Sequence, residues 1–205
     1  MKDELNRIEP MHQELKRKLL HLIAAAVPLA LIYISWQIVL WPLVLFTLIN
    51  IFIDKFKRKN RYLAKIYGYF FGDILRDHER RGSLTGSTYY FISITFSYSL
   101  FCVLLSMPAR YLAVIYTGFM IGDAAAALVG KSMGKTFIFK NKTLEGSLAF
   151  VFASFASTAW IVPHTLHLVL LCALMLCITE LYLVVLDDNF FVPLLVTIIF
   201  YLFVL

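Results

Sequence analysis

Seven stretches of this chain are apolar for close to the length of a bilayer crossing, at 19–36, 38–53, 88–107, 111–130, 147–162, 165–186 and 190–205. A helix needs about 20 apolar residues to cross the hydrocarbon core, with about 17 near the lower limit. Within that core no water can satisfy backbone N–H and C=O groups, so such segments fold as helices. The pattern predicts an all-α, polytopic membrane bundle of about seven transmembrane helices. A hydrophobic content of 60% and a mean hydropathy of +0.78 exclude an ordinary soluble domain. Between 62 and 75, "YLAKIYGYFFGDIL" is apolar but short, and carries Lys65 and Asp73. It reads as one interfacial or re-entrant helix. No secretory signal is expected, since the charged start lacks a small-residue cleavage site after its apolar run. Cys102, Cys172 and Cys177 all lie within apolar runs, as buried small hydrophobes do.

The charges are bunched between these runs. With a cytoplasmic N-terminus and seven crossings, the inner segments are 1–18, 54–87, 131–146 and 187–189. They hold eighteen of the nineteen lysines and arginines; only Arg110 falls outside. Counting 62–75 as a crossing would turn the lysines of 131–146 outward, so the positive-inside rule favours seven. The chain then divides into a basic cytoplasmic segment, 1–18, and one transmembrane catalytic domain, 19–205. The basic balance reflects these flanks and predicts no nucleic-acid partner. Every motif-like stretch faces the cytoplasm, whereas a transporter usually carries polar residues along its spans and on both faces. One polar face on an oily body suits an enzyme that acts on a lipid with a water-soluble co-substrate.

Several constellations share that face. "GDAAAALVGKSMGK" (122–135) sets Asp123 in an apolar helix, at a cost of about 3 kcal/mol on insertion scales. Asp123 reads either as a carboxylate hydrogen-bonded to a neighbouring helix or as a metal ligand or proton acceptor at the membrane surface. Gly118, Gly122, Ala126, Gly130 and Gly134 repeat at i, i+4. The first three read as close helix packing. Gly130 and Gly134 are expected beyond the helix, where amides can approach an anion. "GKSMGKT" is not a P-loop, because Val129 stands where glycine is required and no strand precedes it. Lys131 and Lys135 suit a polyphosphate, or simply anchor the inner face.

"KNKTLEGSLAF" (140–150) offers Thr143, Glu145 and Ser147, with helix-dipole capping as the plain reading of Glu145. "ERRGSLTGSTYY" (79–90) offers phosphate-binding hydroxyls and amides at a helix start, or only an N-cap by Ser83, Thr85 or Ser87. Asp187, Asp188 and Asn189 form either a helix cap or a magnesium site. Glu180 is a second acid within a span.

Taken in order, "RKLLH" (17–21), "ERRGSLTGSTYY", "GDAAAALVGKSMGK", "KTLEGSLAF" and "DDNFFVP" resemble the CTP-dependent lipid kinases. That family includes dolichol kinase, phytol kinase and the fungal CTP-dependent diacylglycerol kinase, with a looser relation to phosphatidate cytidylyltransferases. The resemblance runs from about Arg17 to Pro193. It implies transfer of the γ-phosphoryl group of CTP to the hydroxyl of a lipid alcohol, with Mg²⁺ or another divalent cation. The acceptor class would be a polyprenol or dolichol, a phytol-like alcohol, or diacylglycerol. By that likeness Asp123, Glu145 and Lys135 carry catalysis, and Asp123, Asp187, Asp188 and Asn189 hold the metal. Arg17, Lys18, His21, Glu79, Thr85, Gly86, Gly130, Lys131, Gly134, Lys135, Ser147 and, beside Ser147, Gly146 contact the nucleotide. Two rivals use much the same surface: a cytidylyltransferase that makes a CDP-lipid from CTP and phosphatidate, and a transporter or non-enzymatic membrane protein.

Overall fold

The computed structural model describes residues 11–57, 59–72, 75, 79, 83–183 and 187–204. Residues 1–10 of the basic segment, and 58, 73–74, 76–78 and 80–82 of the loop 54–87, lie outside the described residues. So do 184–186 and 205.

Helix follows helix. α1 (Met11–Ala24) and α2 (Ala26–Tyr33) run almost end to end. Pro28 has no N–H to give the carbonyl four residues back, and the Tyr90 hydroxyl donates to Ala24 O instead, at 3.1 Å. α3 spans Trp36–Phe56. α4 (Arg61–Phe71) starts at an Asn60 cap that accepts from the Tyr62 and Leu63 amides. α5 (Gly86–Ser97) continues as a π-helical stretch, Tyr98–Leu104. α6 (Ala109–Met133) leads into an antiparallel hairpin of β1 (Phe137–Phe139) and β2 (Lys142–Thr143). α7 (Leu144–Thr158), a 3-10 turn (Pro163–Thr165), α8 (Leu166–Tyr182) and α9 (Asp188–Phe203) complete the chain.

α6 is the axis, buried continuously from Leu112 to Met120. Its small-residue stripe is its contact with α7. A Cβ on Gly118 would lie 2.6 Å from Ser154 Oγ, and one on Gly122 would lie 2.8 Å from the Phe150 ring. Small residues let two backbones approach this closely. The stripe extends further than the apolar run suggests. α6 runs to Met133, so Gly130 sits inside the helix, where a Cβ would meet Thr143 Oγ1 at 3.2 Å. Gly134 ends the helix, its N–H donating to Gly130 O at 3.2 Å. The expectation that Gly130 lies past the helix is therefore corrected: Lys131, Ser132 and Met133 prolong it.

Polar groups in the interior pair with one another. The Tyr116 hydroxyl sits between Ser93 Oγ at 2.7 Å and Ser97 Oγ at 2.8 Å. Among the described residues no buried side-chain nitrogen or oxygen lacks a partner. The outside is oily instead, with Trp41, Leu45 and Leu48 of α3, Phe152 of α7 and Ile178 of α8 exposed. Surfaces this apolar mark a membrane or an interface. Four helical stretches are long and apolar enough to cross: Trp36–Phe56, Gly86–Leu104, Ala109–Met133 and Pro163–Tyr182. α7 and α9 are apolar but shorter, at 15 and 16 residues. The chain is a helical membrane protein. α4, at 11 residues, rises only about 16 Å and is too short to cross.

Candidate functional site

The polar motifs meet at one end of the bundle. On α1, Lys18 and His21 share a face at i, i+3. The Lys18 ammonium, on a residue only 4% exposed, pairs with Asp123 Oδ2 of α6. The His21 ring is held between Arg17 O and Asn189 Oδ1, each at 3.1 Å, with Asp123 Oδ2 at 3.7 Å. Asn189 opens α9, where Asp187 caps the helix by accepting from the Asn189 N–H at 3.0 Å. Gly86 starts α5, and a Cβ there would lie 2.7 Å from Asn189 Nδ2. The Gly86 N–H donates to Glu79 Oε1 at 2.7 Å. Arg17, Lys18, His21, Glu79, Gly86, Asp123 and Asn189 are thus brought together from four distant parts of the chain.

Asp54 belongs beside them, although no motif announces it. It lies at the C-terminal end of α3, 1% exposed. Its carboxylate accepts from Lys57 Nζ at 2.6 Å, Thr85 N at 2.7 Å, Thr85 Oγ1 at 3.0 Å and Thr88 Oγ1 at 2.6 Å. Thr85 itself caps α5, accepting from Thr88 N at 3.4 Å. Lys57 also sits 4.5 Å above the Tyr67 ring. Burial, reinforced by the Asp54 charge, pushes the Tyr67 phenol up to about 12. Two carboxylates, Asp54 and Glu79, therefore occupy the amides at the start of α5, where a phosphate was the sharper expectation. In sequence Asp54 stands among Lys55, Lys57, Arg58 and Lys59 and reads as loop charge.

The glycine–lysine loop forms a second part. Glu145 accepts from the N–H groups of Lys135 and Thr136, each at 3.2 Å. Backbone donors, its own N–H foremost, hold its carboxyl below the usual range. Thr143 caps α7 by accepting from Gly146 N at 3.2 Å, and wedges against Gly130 and Gly134. Ser147 lies in the first turn of α7, its carbonyl accepting from the Cys177 thiol. Lys131 and Lys135 are exposed. Lys142, which no motif singles out, pairs with buried Glu180.

The donors expected to hold a metal fit one kind of site only. Among the described residues no three His, Cys, Asp or Glu side chains converge. Asp187 is turned to cap α9, and Asp188 lies in its first turn. What remains near His21 is one carboxylate, Asp123, and one amide oxygen, Asn189 Oδ1. This does not make a resident all-protein cage. It suits a magnesium ion carried by a polyphosphate, which takes one or two protein carboxylates plus phosphates and waters.

Beside this polar end lies a cavity of about 740 Å³. Leu20, Ala24 and Val27 line one side, Leu43, Phe46, Ile49 and Ile53 of α3 a second, and Tyr90 and Phe91 of α5 a third. Arg17, His21, Glu79, Gly86 and Asn189 form its polar end. The three cysteines are free thiols elsewhere in the bundle.

An uncharacterized protein of Rickettsia prowazekii (strain Madrid E) is 26% identical over 144 residues, which cover 70% of this chain and 68% of that protein. No protein-family model matches the chain. No solved structure matches it.

Proposed function

We propose that this chain is a membrane lipid kinase that transfers the γ-phosphoryl group of CTP to the hydroxyl of a lipid alcohol. One observation carries the reading: an apolar cavity ends at His21, and beside His21 stands the Lys18–Asp123 pair. A lipid on one side of His21 and a charged polyphosphate on the other is the arrangement phosphoryl transfer requires, since positioning and charge neutralisation do most of the work. The choice of CTP rests on the resemblance of the ordered motifs.

In this reading the lipid oxygen attacks the γ-phosphorus, CDP leaves, and the hydroxyl proton passes to the Asp123 carboxylate, beside which Arg17 O and Asn189 Oδ1 hold the His21 ring. Asp123 and Asn189 would hold the magnesium of a metal–nucleotide, which would neutralise charge on the phosphates. Lys18, Lys131, Lys135 and Lys142 add positive charge around them, and Glu145 fixes the loop that carries Lys135. The product decides between this activity and its neighbour. Purified protein given a lipid alcohol and γ-³²P-CTP is expected to yield labelled lipid, and α-³²P-CTP to label none. Label from α-³²P-CTP in a phosphatidate-derived product would make the protein a cytidylyltransferase.

The reading includes seven crossings with an inward-facing site. Two facts support it: the eighteen-to-one division of basic residues, and the meeting of alternate helix ends, as at Asp54–Thr85, Thr143–Gly130 and His21–Asn189. In a cysteine-free background, cysteines placed at 59 and 141 are expected to resist an impermeant thiol reagent in intact cells. Ready labelling from outside would overturn the orientation.

A further inference from the structure

The cavity has a polar end and an open apolar side. Leu20 and Ile23 of α1, Phe46 and Ile49 of α3 and Phe71 of α4 all line it, yet each is between 39% and 70% exposed. α3 leans on the bundle lightly, with only 11% of its most apolar window buried. The opening therefore faces hydrocarbon. At the polar end the lining carries one guanidinium, Arg17, and one carboxylate, Glu79. Glu79 is itself buried, and Asp54 stands behind it on the same helix start. Asp54 is paired with Lys57, so an anionic head group finds no net positive charge in this lining to offset its desolvation and meets the Glu79 carboxylate directly. A hydroxyl instead finds an acceptor in Glu79 and a donor in Arg17.

We infer that a neutral lipid alcohol enters this cavity sideways from the bilayer, between Ile23 and Ile49, and that Glu79 excludes lipids with anionic heads. The hydrocarbon lies along α3 and α5, and the hydroxyl rests at Glu79 and Arg17. That the bound alcohol is also the phosphoryl acceptor rests on the kinase reading; the lipid site does not.

The test uses the full chain in phosphatidylcholine nanodiscs, without nucleotide. The probe is a long-chain primary alcohol with a diazirine in mid-chain. Irradiation is expected to label peptides of α3 and α5, and unlabelled long-chain alcohol is expected to compete at least about tenfold better than phosphatidate. Ile49→Trp is expected to cut labelling about tenfold by filling the opening. Leu20→Trp does the same from the opposite rim, should the first variant fold poorly. Ile178→Trp, at an exposed position on α8 away from the cavity, leaves labelling unchanged. Glu79→Gln keeps an acceptor for the Gly86 N–H but removes the charge, so phosphatidate is expected to compete about as well as the alcohol. Labelling spread evenly over α3, α8 and α9, or equal competition by phosphatidate on the unaltered protein, would overturn the inference. Labelling of the cavity without phosphorylation by any nucleotide would remove the kinase reading alone. A phosphorylated alcohol whose KM is unchanged in both tryptophan variants would remove the lateral site alone.

Discussion

Asp123→Asn is expected to lose at least about 10²-fold in turnover, the low end of what a positioned acid–base or charge-bearing group contributes. It is also expected to lower the melting temperature. Lys18 is 4% exposed and its ammonium rests on this carboxylate. Asparagine keeps the shape but leaves a buried cation without its counter-charge, and breaking such a pair from one side costs about 3–5 kcal/mol. Asp123 retains some solvent contact, which places the loss near the lower figure. The two effects separate in a double variant. Lys18→Met with Asp123→Asn removes both charges, so the melting temperature is expected to recover while turnover stays lost. A folded Asp123→Asn protein with near-normal turnover at saturating Mg²⁺ would take the residue out of the chemistry. Recovery of activity in the double variant would do the same.

The second large effect is structural. Asp54→Ala removes a buried carboxylate that accepts from four donors: one ammonium, one amide and two hydroxyls. Leaving such a set unpaired is expected to cost about 3–5 kcal/mol, against about 1–2 kcal/mol for Thr88→Val, which removes one hydroxyl and its bonds to Asp54 and Thr85. The damage should be local to the junction of α3 with the start of α5. Trypsin is expected to cut at Lys57 much faster in Asp54→Ala than in the unaltered protein, while the hairpin around Lys140 keeps its rate. Equal stability of the alanine and valine variants would mean that the four donors find other partners.

The helical, membrane-grade character of the chain was legible because lipid imposes a simple rule, although the apolar run 19–36 is not one helix, since α1 ends at Ala24 and α2 at Tyr33. Apolar length marks the helices, and the i, i+4 stripe through Gly118, Gly122 and Ala126 marks the closest helix pair. The polar residues that gather around His21 were legible as motifs, since Arg17, His21, Glu79, Gly86, Asp123 and Asn189 all stand out against oily surroundings. What escaped was pairing. Asp54 and Lys142 sit in runs of like or mixed charge, where nothing local separates a buried partner from a solvated one. The end of α6 was misplaced because hydropathy falls at Lys131, whereas the backbone turns only at Gly134. Asp187 and Asp188 illustrate a third limit: adjacent acids read either as a helix cap or as a metal site, and the structure shows Asp187 as the cap of α9.

The Lys18–Asp123 pair also sets a schedule for synthesis. The two residues are 105 positions apart. At about 5–20 residues per second, Lys18 is made roughly 5–20 s before Asp123. During that interval α1 carries an ammonium with no Asp123 to meet it, and such a charge is held at the aqueous surface. Seating of α1 against α6 must then wait for the middle of the chain, and Asn189 arrives later still to hold His21. A growing chain therefore passes most of its synthesis with its first helix undocked, and the cavity acquires its polar end only when α9 is made.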